Sequence, residues 1–307
     1  MGAMLPPQPD DPRPTTPTIE SCYRHPDVQT GVHCTRCGRP ICPSCMIPAA
    51  VGYQCPECVE HARLEYRRGP GSLRRRARSM SVTRALLAAM IVMFLVEIAA
   101  SPARSLFGGP TERVLFDLGA MYPPAVSAGQ YWRLFSAMFL HAGLFHILFN
   151  AYALWIFGQA VEDEYGSVWM GVLYFLTGFL ASVTSYAFGP INVIAVGASG
   201  AIFGLFGAFV AYNYRRRHLA LASARLRAAM SLILINAFLA LLIPLIDWRA
   251  HIGGLAAGFV GGFVVEGFGP RQTRAVVRAV GLSAMVGLGI ALVMWRTDQI
   301  RTLLGIL

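Results

Sequence analysis

Between residues 82 and 295 the chain is a succession of apolar runs, each about twenty residues long and separated by brief polar breaks. As a helix at about 1.5 Å per residue, a run of that length crosses about 30 Å of hydrocarbon. Seven such runs are read, at 82–100, 133–157, 168–188, 197–214, 228–246, 250–268 and 276–295. The chain is 55% hydrophobic and only 14% charged, whereas soluble domains carry about a quarter charged residues. Lipid is therefore the expected solvent for most of it. The first eighty residues differ, because they hold all seven cysteines and many of the prolines.

This division predicts a tail at 1–20 too polar and proline-rich to order, a cysteine-rich domain at 21–62, a basic linker at 63–81, and then the membrane helices. Residues 1–20 lack the apolar core of a signal peptide, so none is expected. The net charge of +10 could indicate nucleic acid. However, the arginines cluster beside the apolar runs, at Arg74-Arg75-Arg76, Arg215-Arg216-Arg217 and Arg271 to Arg278, which is the pattern that orients membrane helices. No nucleic-acid partner is expected. Alternating the runs puts all three clusters on one side, so a cell-membrane, multi-pass protein with its N-terminus cytoplasmic and its C-terminus outside is expected. The stretch 101–132 is too polar to span. Its Leu106-Phe107, Met121-Tyr122 and Tyr131-Trp132 pairs suit a loop lying partly in the interface.

With that orientation runs two, four and six travel the same way, and each carries polar residues in its first turns. These are His141, His146 and Asn150, then Ser199, then His251. Ionisable groups in lipid are costly and default to functional roles. His146 and Asn150, four apart, share a helix face; His141, on the same predicted helix, points elsewhere. Gly200, Gly204 and Gly207 flank Ser199, and Gly254, Gly258 and Gly262 follow His251. Such small residues let helix backbones approach in lipid, which would bring a serine nucleophile to a histidine base. Asn150, His146 and the Ser199 backbone N–H would then face a developing oxyanion. Asp247 precedes His251 in a loop, so a two-member dyad is expected in preference to a triad. Taken singly, each residue has an ordinary reading: Ser199 as a packing residue, the others as interhelical hydrogen-bonding groups.

Together, Trp132-Arg133, His141-x4-His146-x3-Asn150, Gly197-x-Ser199-Gly200 and Ala250-His251-x-Gly253-Gly254 resemble the rhomboid intramembrane serine proteases, in that family's order. The resemblance covers about 82–270. It implies an all-α polytopic membrane protein: a six-helix protease core over 82–270, with a seventh helix and tail at 271–307. It further implies Ser199 as nucleophile, His251 as base, His146 and Asn150 as oxyanion donors, and structural roles for Arg133 and Glu162. The implied substrates are transmembrane proteins, cut near the outer end of a span, with no cofactor for proteolysis. Run five with the 245–249 loop, including Trp248, is the hypothetical gate. The other classes open to the same residues are a non-proteolytic relative that binds or translocates membrane proteins, and a transporter. Transporters place their sites near the midplane, often with internal repeats, and no repeat is visible here.

The cysteines follow a second pattern: Cys22-x2-His25, Cys34-x2-Cys37, Cys42-x2-Cys45, Cys55-x2-Cys58, then His61. Four pairs at that spacing indicate zinc, and an odd count argues against disulfides. Interleaving puts Cys22, His25, Cys42 and Cys45 on one structural ion, and Cys34, Cys37, Cys55 and Cys58 on the other. The pattern resembles a B-box-type zinc finger, departing from it in the last pair, and His61 is a ninth candidate. A single ion with spare cysteines is the alternative. Binding a cytoplasmic protein, regulating access and stabilising the chain all remain open as roles.

Overall fold

The computed structural model describes residues 19–49, 51–68, 81–101, 109–242 and 246–305, without the side chains of 63, 66–68 and 236–242. Most of the expected tail, residues 69–80 of the linker, Leu106-Phe107 and part of the hypothetical gate lie outside these residues. The chain divides into two compact units, Met1–Ser79 and Met80–Leu307.

The first unit is two small antiparallel hairpins and a helix. β1 (Glu20–Ser21) pairs with β2 (Gln29–Thr30), and β3 (Ile47–Pro48) with β4 (Tyr53–Gln54). Helix α1 (Pro56–Arg68) follows and continues past residue 62, into the expected linker. Its buried apolar centre is Ile41 together with cysteine side chains. A segment this short has little else to bury.

Among the described residues the second unit is built mainly of helices. Long helices run over Val82–Ala100 (α2), Leu144–Tyr165 (α6), Ser167–Phe188 (α7), Ser199–Arg215 (α8), Ala220–Leu242 (α9), Trp248–Glu266 (α10) and Arg271–Leu303 (α11). Among the described residues, α2, α6, α7 and α11 are long and apolar enough to cross a membrane. Between α2 and α6 lie the short helices α3 (Glu112–Leu118), α4 (Pro123–Ser127) and α5 (Arg133–Ser136). The protein is an all-α polytopic membrane protein with a cysteine cluster at its N-terminal end.

One expected helix is shorter than its apolar run. Residues 133–143 do not begin α6. They form α5, a 3-10 turn over Ala137–Phe139 and an extended Leu140, so His141 stands in the loop before α6. Apolar periodicity cannot separate a buried loop from a helix turn. Arg133 ties the start of this segment to the one before it. Its Nη1 donates to Phe116 O (2.6 Å) and Ala120 O (3.0 Å), its Nε to Gln130 Oε1 (2.7 Å), and it lies over the Phe116 ring. This is the structural role expected of it.

Glu162 caps α2 from a neighbouring helix. Its carboxylate accepts from Val82 N–H (2.9 Å), Thr83 N–H (3.2 Å) and the Ser81, Thr83 and Ser167 hydroxyls. These are donors a helix N-terminus leaves unsatisfied. At its C-terminal end α11 is tied to the end of α4 and to the residue after α7: Arg301 Nε donates to Ser127 O (2.9 Å), and Arg296 Nη2 to Gly189 O (2.9 Å).

Candidate active site and metal clusters

Helices α8 and α10 cross with their backbones in contact. A Cβ on Gly254 would strike Gly200 O, and one on Gly258 would strike Gly204 O. No larger residue allows that approach. The contact brings the first turns of the two helices together, so that Ala250 lies against Gly200. Ser199 and His251 are the neighbours of these residues, and both are half-buried. Phe203, one turn after Ser199, stacks on the His251 imidazole with centroids 4.2 Å apart and planes at 13°. Among the described residues no hydrogen bond joins Ser199 Oγ to His251. Catalytic hydrogen bonds are often long before substrate binds.

The segment leading into Ser199 is fixed by backbone pairing. Met121 and Ala195 exchange hydrogen bonds (3.0 and 2.8 Å), and Gly197 N–H donates to Ala137 O (2.9 Å). Gly197 has φ +128°, a region that favours glycine. A Cβ there would come within 2.8 Å of His146 Nε2 and 3.7 Å of Asn150 Nδ2. Both donors therefore converge two residues before Ser199. The Ala142 N–H points at His146 Nδ1 (3.3 Å), which makes Nδ1 the acceptor and leaves the proton on Nε2. Asn150 Nδ2 is buried with no partner in the protein. The site thus holds donors in want of an acceptor.

Asp247 is the N-cap of α10. It accepts from Arg249 N–H and Ala250 N–H (3.2 Å each) and from the Ser185 hydroxyl. Its oxygens are used by the cap and by Ser185. Sequence reasoning missed Glu97, a fully buried carboxylate in α2 that accepts the His141 N–H (3.2–3.3 Å). Its signal was present, since a lone acid in an apolar run is itself a suspect. The His141 ring, fully buried, packs edge-on against His146 at 5.2 Å.

In the N-terminal unit the two interleaved sets come together as expected. Within each of Cys22, His25, Cys42, Cys45 and Cys34, Cys37, Cys55, Cys58, the ligand atoms lie within 4.8 Å of one another. His25 Nδ1 is 3.3 Å from Cys42 Sγ and 3.4 Å from Cys45 Sγ, and Cys37 Sγ is 3.8 Å from Cys55 Sγ. Tetrahedral zinc with ligand bonds of 2.0 to 2.3 Å needs ligand separations of about 3.3 to 3.8 Å, so the residues fit the ion. Burial tends to raise the Cys22 thiol, but N–H groups of Cys42 and Arg24 and the His25 ring hold it down at about 6. Cys34 is likewise held at about 6 against burial, by the N–H groups of Cys55, Cys37 and Arg36. Burial and neighbouring thiols push Cys45 up to about 11 and Cys58 to about 12. His61 belongs to neither set: it is exposed and faces Glu65 (3.4 Å).

Residues 128–268 match the Rhomboid domain family. Over 143 residues the chain is 32% identical to the putative rhomboid protease YdcA of Bacillus subtilis, covering 47% of this chain and 71% of that protein. The chain belongs to the rhomboid family. It is also 38% identical over 162 residues to RHOMBOID-like protein 6, mitochondrial, of Arabidopsis thaliana, covering 52% of each chain. With the rhomboid protease GluP of Bacillus subtilis it shares 36% identity over 173 residues, 55% of this chain and 32% of that one. The chain thus spans about half or less of the length of several relatives it matches. All of α5 to α10, with the loop that carries His141, lies inside the rhomboid domain, whereas the cysteine clusters lie outside it.

Proposed function

We propose that this rhomboid is a serine endopeptidase that hydrolyses peptide bonds in or near transmembrane segments of membrane proteins. The observation that carries this reading is the convergence of His146 Nε2–H and the unpartnered Asn150 amide beside Gly197, at the mouth of the helix that begins with Ser199. Ser199 Oγ adds to the substrate carbonyl carbon while its proton passes to His251. The carbonyl oxygen becomes an anion, which accepts from His146, Asn150 and the Ser199 N–H at the start of α8. The C–N bond then breaks as His251 gives the proton to the leaving amine. Water, deprotonated by His251, next attacks the acyl ester, releasing the acid and restoring Ser199. Phe203 holds the imidazole plane, and Asp247 holds the turn that presents it. A substrate helix must unwind to offer its peptide bond, so helix-weakening residues near the cut favour cleavage.

The N-terminal unit holds two structural zinc ions on the two sets named above. They supply folding energy to a short chain, and every ligand position is filled by protein. The unit is oriented to the cytoplasm by the arginines that follow it. A serine-directed phosphonate probe on detergent-purified protein tests the proteolytic reading. Labelling lost in both Ser199→Ala and His251→Ala supports it. Equal labelling in wild type and both variants rejects it in favour of a non-proteolytic membrane-protein binder.

A further inference from the structure

At the end of the bundle opposite Ser199 a cavity of about 290 Å³ lies where α6, α8 and α10 end and α7 and α11 begin. Its charged groups fall into two classes. Arg216 is paired with Glu266, and Glu164 with Arg225 outside the cavity (3.1 Å). Arg274 and Arg278, one turn apart on α11, have no acidic partner among the described residues. Instead each is pinned through Nε to a backbone carbonyl: Arg274 to Gly269 O (3.0 Å) and Arg278 to Val265 O (2.6 Å). Arg278 also rests on the Trp169 ring at 4.9 Å. An arginine that merely snorkels keeps its whole head in water. These two have spent the Nε, and their terminal Nη groups remain as preset forks at the cavity, the geometry that takes a phosphate. Glu164, which also lines the cavity, is only 10% exposed, and its Oε2 is buried without a partner. That atom calls for a donor. Val168, in the first turn of α7, and Val276, between the two arginines on α11, are exposed apolar side chains, so the cavity stands where hydrocarbon meets headgroups.

We propose that this cavity binds the headgroup of one phospholipid, with its phosphodiester on Arg274 and Arg278 and a headgroup N–H or O–H on Glu164. The chemistry selects phosphoethanolamine or phosphoglycerol and disfavours phosphocholine, which has no donor. Basic pockets between helices at a membrane face bind headgroups in this way.

The test uses full-length protein, delipidated in detergent and titrated with phosphatidylethanolamine, phosphatidylglycerol or phosphatidylcholine of matched chains, with bound lipid counted by native mass spectrometry. One ethanolamine or glycerol lipid should be retained about tenfold more tightly than the choline lipid. Arg274→Gln with Arg278→Gln should lose about tenfold in that affinity, and Glu164→Gln should narrow the preference over choline. If the glutamine pair does not fold, Arg278→Lys keeps the charge without the fork and should still weaken binding. Equal retention by folded wild type and folded arginine variants overturns the proposal. So does equal retention of all three lipids. Displacement of the lipid by millimolar inorganic phosphate assigns the site to a free anion and overturns the lipid.

Discussion

The cysteine unit and the helical unit meet the same difficulty by opposite means. Each must hold polar groups together away from bulk water. The first has almost no apolar side chains to bury, and its centre is made of would-be metal ligands around Ile41. The second has apolar surface everywhere, but lipid gives that surface no reason to associate. Its tightest contact, α8 on α10, depends on the absence of side chains at Gly200, Gly204, Gly254 and Gly258. One unit is held by what its residues add, the other by what they leave out. Ligands fail all at once when the ion leaves, whereas close backbone packing fails one residue at a time.

Metal removal probes this contrast most strongly. Structural zinc is worth about 10 kcal/mol or more to a unit of this size. A strong chelator should therefore unfold residues 19–68, read as loss of amide dispersion in NMR spectra of those residues. Phosphonate labelling of Ser199 should persist, and its loss together with the metal would tie the two units more closely than the contrast allows. Next comes Ser199→Ala, which should lower cleavage of a transmembrane reporter by at least about a thousandfold, with His251→Ala similar. Thermal unfolding of both in detergent should stay near wild type. Asn150→Ala, which removes one oxyanion donor, should cost about a hundredfold in kcat with a smaller change in KM. In the packing itself, Gly258→Leu would push α10 off Gly204 and should cost about 3 kcal/mol in stability, seen as a lower Tm. The smallest effect is expected at Glu97. Glu97→Ala strands the buried His141 N–H and should cost about 1 to 3 kcal/mol, while Glu97→Gln keeps an acceptor and should recover most of it.

Much of this was legible in the residues. The interleaved cysteine pairs needed only spacing, because a pair two residues apart can reach one ion and four pairs leave few ways to close. Ser199, His251, His146 and Asn150 stood out because polar atoms in apolar runs are rare. Arg133 and Glu162 were readable as structural through the family resemblance, and their bonding agrees. His141 was misplaced on a helix, since hydropathy does not register that residues 133–143 form α5, a 3-10 turn and a loop in place of the first turns of α6. Glu97 went unread because one acid does not change the character of an apolar run. Asp247 as the cap of α10, and its bond to Ser185, depend on contacts between residues far apart in the chain.

From its residues alone, this protein is committed to a cysteine-rich head and a set of lipid-soluble helices, because ligand spacing and hydropathy are local properties. Only the packed structure decides which polar atoms meet. A backbone contact at Gly200 and Gly254, and the positive φ at Gly197, are set by how whole helices cross. That crossing brings the first turns of α8 and α10 together, and with them Ser199 and His251.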